Sequence, residues 1–334
     1  MKILDIGESK LIEIIQDLVS APERDSNFIN NRLLVGIGDD ASAWQPGPGL
    51  EISTTDTLVQ GVHFSLSYSS WYDIGWKAMA SNLSDISAMG GVPLYALINA
   101  GFPSYMDVDD VKDLYKGMLS IADKYSVRIM GGDLVRCETS FITVMIIGTS
   151  ERDLLLRSNM TPGDLIAVTG NLGSSAAGLR ILSGDLSCTN EAHESIIESH
   201  LRPCPRINEG LTLAANGIRA AMDISDGLII DLNKFCDSSG VGAVVYADKI
   251  PISQYLQEIF SSDEIIALAL GGGEDYELLF SGPRDIVLSI IPKLASGATI
   301  IGKVSESHVG KVHVLDSENR KIALDDIGWD HFKL

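Results

Sequence analysis

The stretch Ala220-Ala221-Met222-Asp223-Ile224-Ser225-Asp226-Gly227-Leu228-Ile229-Ile230-Asp231-Leu232-Asn233-Lys234-Phe235 decides the architecture. A short apolar run at 220–222 reads as a strand, two aspartates and a glycine turn the chain, and 227–235 reads as a helix. Upstream the same grammar recurs: Leu165 to Thr169 is a predicted strand and Ser174 to Leu182 a predicted helix. The charged stretch Glu151 to Asp164, with Pro162 and Gly163, marks a boundary, so the domains are expected at 1–150 and 151–334. In the first half, 9–20 reads as an amphipathic helix with Ser9 available as its N-cap, and Leu33 to Gly38 as a short buried strand. Pro46-Gly47-Pro48-Gly49 then forces a turn before a second strand near 50–58. Helices are predicted from Trp71 to Met89 and along Val111, Leu114, Tyr115, Met118, Leu119, Ala122 and Tyr125, with strands at 127–130 and 141–148. The predicted elements therefore group into two α/β (α+β) halves.

Bulk composition removes several classes of function. The 334 residues carry 25 Lys and Arg against 45 Asp and Glu, a formal charge of −20, so nucleic acid and anionic membrane surfaces are repelled. An acidic protein of this kind still binds phosphate-rich small molecules when divalent cations reverse the local sign. Cys137, Cys188, Cys204 and Cys236 show no C-x-x-C spacing, which signals neither a zinc site nor a disulfide framework and suits a reduced cytoplasm. No run of 18 apolar residues is present, and the N-terminal stretch meets Asp5 before any signal-peptide core could form.

Acidic residues next to small ones recur at six places. These are Gly36-Ile37-Gly38-Asp39-Asp40-Ala41, Thr54-Thr55-Asp56-Thr57, Asn82-Leu83-Ser84-Asp85, Gly131-Gly132-Asp133, Asp223-Ile224-Ser225-Asp226-Gly227 and Gly271-Gly272-Gly273-Glu274-Asp275-Tyr276-Glu277. Hard divalent cations want oxygen ligands, and glycine lets backbone amides approach phosphate oxygens. Each cluster taken singly reads more readily as a turn or a helix cap, and only the six together point to cations. In the strand near 50–58 a period of two puts Thr55 and Thr57 on one face, Thr54 and Asp56 on the other, and either set could line a site. Because magnesium takes only one or two carboxylates besides water and phosphate, many aspartates imply several ions and a polyphosphate ligand.

Familiar nucleotide motifs are missing. Gly36-x-Gly38-x-x-Ala41 resembles a dinucleotide fingerprint, but Pro46 and Pro48 interrupt the helix it requires and two aspartates would face the pyrophosphate. No G-x-x-x-x-G-K-[ST] loop exists, and neither H-R-D nor D-F-G occurs. Thr169-Gly170-Asn171-Leu172-Gly173-Ser174-Ser175 lies between strand and helix, where it is either a phosphate site on a helix N-terminus or simply a tight connection.

Taken in order, the clusters resemble the signature of the thiamine-monophosphate kinases, a family within the superfamily of aminoimidazole ribonucleotide synthetase and selenophosphate synthetase. The resemblance rests on the six clusters together with Ser53 to Phe64, Trp76-Lys77-Ala78, His200-Leu201-Arg202-Pro203 and the terminal Gly328-Trp329-Asp330-His331-Phe332, and it covers nearly the whole chain except 183–199. It implies an aminoimidazole ribonucleotide synthetase-like two-domain fold, with a mixed sheet and helices in the N-terminal domain and an α/β C-terminal domain, a homodimer, and phosphorylation of thiamine monophosphate to thiamine diphosphate with ATP as co-substrate and several Mg2+. Carried over by position, Asp40, Thr54, Thr55, Asp56, Asp85, Asp133, Asp223 and Asp226 would bind magnesium. Gly132, Asp133, Arg157 and Ser225 would touch ATP, and His63, Glu274 and Trp329 the thiamine phosphate. No residue is needed as general base, because a phosphate monoester is already anionic at neutral pH.

Each of these residues also has a plainer reading. His63 could be an acid-base group, a phosphate contact or a structural hydrogen bonder, and Trp329 a core residue or a stacking partner for thiamine's rings. Glu274 is either a helix-start charge or an acceptor for the aminopyrimidine, and Arg157 a surface arginine or a phosphate clamp. Two other functions compete with the kinase: a superfamily enzyme acting on a different acceptor, and a non-catalytic nucleotide- or metal-binding protein. Selenophosphate synthesis is disfavoured because no Cys precedes Cys137.

Overall fold

The structure is a computed structural model that describes residues 1–20, 32–37, 41–184 and 191–322. Two compact units divide the chain, one of Met1–Ile86 and Val92–Glu151, the other of Ser87–Gly91 and Arg152–Leu334.

The first unit is built on a four-stranded sheet ordered β3-β6-β4-β5, formed by β3 (Leu50–Val59), β4 (Val92–Phe102), β5 (Arg128–Arg136) and β6 (Phe141–Ser150). β3 and β4 pair with β6 antiparallel, and β4 pairs with β5 parallel. A parallel pair needs a long crossover, which α3 (Val108–Tyr125) supplies. Ala96, Ile98 and Ala100 of β4 and Ile142, Val144 and Ile146 of β6 are almost wholly buried at alternate positions, so one face of the sheet carries the core. α2 (Trp71–Ala88) meets α3 through two glycines. A Cβ on Gly75 would lie 2.0 Å from the Leu114 carbonyl oxygen and one on Gly117 1.9 Å from that of Tyr72, so backbone rests directly on backbone there.

Several sequence expectations change. The opening helix α1 runs Ile3–Val19 and is broken at Gly7, whose φ of 74° is non-helical; Ser9 therefore sits inside the helix instead of capping it. β1 (Leu33–Val35) is shorter than expected and is not buried, with Leu34 73% exposed beside the two-residue β2 (Ala43–Trp44). Central β4 went unread in the sequence, because Pro93 and Gly101 interrupt an apolar run that has no clean period.

The second unit holds a six-stranded sheet, ordered β12-β9-β11-β7-β10-β8, antiparallel except where β12 joins β9. Its strands are β7 (Leu165–Thr169), β8 (Ala220–Asp223), β9 (Gly242–Tyr246), β10 (Leu278–Gly282), β11 (Ala298–Ser305) and β12 (Val312–Leu315). Successive residues enter different cores: Ile166, Val168, Met222 and Leu279 lie in one apolar cluster, Ala167, Ala221, Leu278 and Phe280 in another. Both faces of this sheet are therefore covered, which explains why its strands read as continuous apolar runs. The surrounding helices are α4 (Ser174–Leu182), α5 (Glu191–Leu201), α6 (Ile207–Ala215), α7 (Leu228–Ser239), α8 (Gln254–Ile259), α9 (Ser262–Gly271) and α10 (Arg284–Ile290). α5 accounts for 191–199 within the stretch 183–199, where the sequence carries little recognisable pattern.

Candidate active site

In the first unit the acidic clusters sit on β3, α2 and β5. The Thr54 hydroxyl donates to the Asp85 carboxylate at 2.5 Å, tying the edge strand to the helix. This settles which face of β3 meets α2: Thr54 and, by alternation, Asp56. Thr55 lies on the other face and gives its hydroxyl to the Val144 carbonyl at 3.0 Å. Register places Asp56 in a row with Val144, Ile98 and Gly132, whereas Asp133 shares the row of Thr57, Thr143 and Asn99. Gly132 has φ 155°, and a Cβ there would fall 1.8 Å from the Ile98 carbonyl oxygen, so only glycine fits. His63 accepts the Val59 backbone N–H on Nδ1 at 3.0 Å. The structural hydrogen bond is thus made, and it leaves the ring proton of the neutral imidazole on Nε2, as a donor.

Asp40 and Trp329 lie outside the described residues.

In the second unit, Asp223 ends β8 and is nearly wholly buried. The turn that follows is zipped to the glycine-rich loop after α9: Glu274 N–H donates to the Ser225 carbonyl at 2.8 Å, Tyr276 N–H to that of Ile224 at 2.9 Å, and Ile224 N–H to that of Glu277 at 2.9 Å. Glu274 and Tyr276 take positive φ values of 62° and 51°, a conformation that costs non-glycine residues about 1–3 kcal/mol each unless the surroundings enforce it. Arg157 is exposed, and its carbonyl accepts the Ser239 hydroxyl at 2.6 Å.

Three acids on these loops serve the protein itself: Asp275 and Glu277, which belong to the acidic cluster 271–277, and Asp231, which lies outside the clusters. Asp231, fully buried one turn into α7, receives the backbone N–H groups of Ser225, Asp226 and Gly227 on one oxygen at 2.9, 2.9 and 3.1 Å. Burial pushes its carboxyl upward, against the opposing pull of Lys234 and the backbone donors. Glu277 is buried between the Thr169 hydroxyl at 2.6 Å and the two arms of Arg206. Asp275 accepts Gly173 N–H at 2.7 Å and Ser175 N–H at 3.1 Å, at the start of α4. In the segment 169–175, open in sequence to a phosphate or a tight connection, the Gly173 and Ser175 N–H donors are taken by an internal carboxylate, which favours the connection. The legible signal for all three was an acid placed beside a helix start or a glycine turn, which a sequence cannot distinguish from a ligand.

Asp275 is half-buried as a residue, yet its carboxyl group is withdrawn from water. Burial, with Glu277 and Glu274 adding to it against the two N–H bonds, pushes it from 3.8 up to about 7. A carboxyl whose folded value is raised holds a proton that the unfolded chain has already lost, so its contribution to stability declines as pH climbs from about 4 to about 7. Asp275→Asn, which retains an oxygen acceptor, should gain stability relative to the wild type as pH rises from about 5 to about 8. Thermal unfolding at several pH values checks this; parallel curves for the two proteins would show that the Asp275 carboxyl titrates alike in folded and unfolded chains.

Magnesium, implied by the resemblance, takes oxygen ligands. Thr54, Asp56 and Asp85 offer only oxygens, and one turn before Asp85 the wholly buried Asn82 Oδ1 has no hydrogen-bond partner. Among the described residues no group of three or more His, Cys, Asp or Glu side chains is gathered as a metal cluster. The donor set fits a hard cation that brings water and phosphate oxygens as its remaining ligands.

The chain matches the family AIR synthase related protein, N-terminal domain, over 38–150 and its C-terminal domain over 161–315. A thiamine-monophosphate kinase of Bacillus subtilis is 37% identical, covering 90% of this chain and 94% of the relative. That of Aquifex aeolicus is 33% identical across 99% and 100%. Among solved structures, a thiamine-monophosphate kinase of Stenotrophomonas maltophilia superposes with a TM-score of 0.80 at 35% identity, covering 91% of this chain and 95% of that one. A structure of AaThiL complexed with AMPPCP and TMP gives 0.77 at 32% identity over 99% of both. Among the described residues no helix is long and apolar enough to cross a membrane.

Proposed function

This chain belongs to the thiamine-monophosphate kinase family, and on that premise we propose how its residues serve the ATP-dependent phosphorylation of thiamine monophosphate that it catalyses. The observation that supports the assignment of roles is the junction of Thr54 with Asp85, where an edge strand and a helix bring side-chain oxygens together.

In this reading Thr54, Asp56 and Asp85 on one face of the first unit's sheet, Thr55 and Asp133 from the other face, and Asp223 and Asp226 of the second unit would hold several magnesium ions, with Asp40 as a further ligand. Held there, magnesium would supply charge neutralisation against the repulsion between acceptor and γ-phosphate, which for unit charges about 4 Å apart is about 4 kcal/mol at an effective dielectric of 20. The Thr54 hydroxyl fixes the rotamer of the Asp85 carboxylate, so that less order has to be imposed when substrate arrives. Gly132 brings bare backbone to the nucleotide, and Ser225, Asp133 and Arg157 complete its contacts. His63 donates Nε2–H to the acceptor's phosphate, while Glu274 and Trp329 hold the rings of thiamine. The acceptor oxygen is anionic at neutral pH, so the chain supplies no general base and transfer is direct and in line. The family likeness supports a homodimer as the working unit and a cytoplasmic setting.

Incubating the protein with γ-labelled ATP, magnesium and thiamine monophosphate should move the label into thiamine diphosphate, with none on protein when the acceptor is withheld. Label trapped on an aspartate or histidine would overturn direct transfer, and ATP cleavage without diphosphate product would overturn the acceptor.

A further inference from the structure

Asp231 carries an arrangement that a helix cap does not explain. A capping side chain serves N–H groups inside the first turn of its helix, whereas the three donors on Asp231 Oδ2 belong to residues 225–227, which precede α7. Three donors on one oxygen also exceed its two lone pairs, so the interaction is that of a negative charge seated in a nest of backbone dipoles. The other oxygen receives Lys234 Nζ at 2.9 Å, and the same ammonium reaches the Asp226 carboxylate at 2.5 Å. One cation thereby joins the buried acid that sets the backbone to an acid displayed by that backbone. Lys234 is 44% exposed, while Asp231 is 0% exposed: the pair has an anchored end and an open end. On its far side the turn is confined by Gly227, at φ 123°, where a Cβ would come 2.8 Å from the Gly271 carbonyl oxygen.

We infer that Asp231 is a positioning residue for phosphoryl transfer, and that with Lys234 it fixes the turn from which Asp223, Ser225 and Asp226 are presented. The inference rests on the reading above that those three residues serve ATP and its cations. It assigns the charge of Asp231, and not only its shape, to the task, because a hydrogen bond to an ionised acceptor is roughly twice as strong as one to a neutral acceptor.

The test is Asp231→Asn, which keeps an oxygen acceptor, the volume and the fold. Its kcat should fall about thirtyfold while KM for thiamine monophosphate moves less than about twofold. Deuterium uptake by the peptide containing 225–227 should rise, with α7 protected as before. Lys234→Met, a change near the surface, should show the same pattern at about a third of the kcat effect, and Lys234→Arg, which keeps the cation, should restore most of that loss. Asp231→Asn with kcat within about twofold of the wild type overturns the inference, as does a fall in kcat that only follows the folded fraction. The exchange measurement needs no turnover. A wild-type protein that makes no thiamine diphosphate would therefore sink the functional reading while leaving the placement of Asp231 to be judged by itself.

Discussion

An Asp85→Asn enzyme should lose about a thousandfold in turnover while unfolding within a few degrees of the wild type. Asp85 is half-buried on α2, and its Oδ2 already has a partner in the Thr54 hydroxyl. An asparagine oxygen can accept that same bond, so the tether between β3 and α2 survives and the fold has little reason to respond. What disappears is the negative charge at a position where side-chain oxygens from two elements meet, and transfer between two anions depends on the charge arrangement more than on any other term. Steady-state kinetics alongside thermal unfolding separate the two effects. Near-normal turnover would reduce the Thr54–Asp85 pair to a structural tether. Thr54→Val gives the complementary comparison: it keeps the charge, removes the donor, and should cost far less than Asp85→Asn.

That contrast also shows what the amino-acid pattern could and could not convey. Strand 165–169 and helix 174–182 were readable to the residue because a fully covered sheet writes its strands as unbroken apolar runs and its helices as periodic ones. β4 was not readable, since its burial alternates around Pro93 and a register shift that no period captures. The acidic clusters were visible as clusters, yet their division of labour was not. Asp275 and Glu277 stand two residues apart in the same glycine-rich loop as Glu274, and both turn inward to backbone or arginine. Asp231, four residues after Gly227, has the sequence setting of any first-turn acid but organises the turn before it. A carboxylate that orders a loop and one that meets a ligand have the same neighbours in sequence, and they differ only in which way the folded chain points them.

Arg206→Met should be the most damaging single change to stability, by about 3–5 kcal/mol. Glu277 is 4% exposed and takes two bonds from Arg206, at 2.7 and 2.5 Å, as well as the Thr169 hydroxyl. Burial alone would lower the Arg206 pKa, but the bonds and charge of Glu277 outweigh it and raise it, which shows how fully each ion depends on the other. There is no room for the freed carboxylate to move toward Gly170, where even a Cβ would lie 2.0 Å from Glu277 Oε1. The damage should extend beyond stability, because the Glu277 carbonyl holds Ile224 N–H and the same short loop keeps Glu274 and Tyr276 at positive φ. With its anchor gone, the strained loop can relax, and KM for thiamine monophosphate should rise along with the loss of stability. Pairing Arg206→Met with Glu277→Leu removes both charges and should recover much of the lost stability without recovering KM, since an apolar pair fills the space but does not reproduce the two-armed grip. Denaturant unfolding of the wild type, the two single variants and the double variant measures the coupling. If Arg206→Met costs less than about 1 kcal/mol, the pair behaves like an exposed ion pair and the loop must draw its order from Asp275 and the backbone alone.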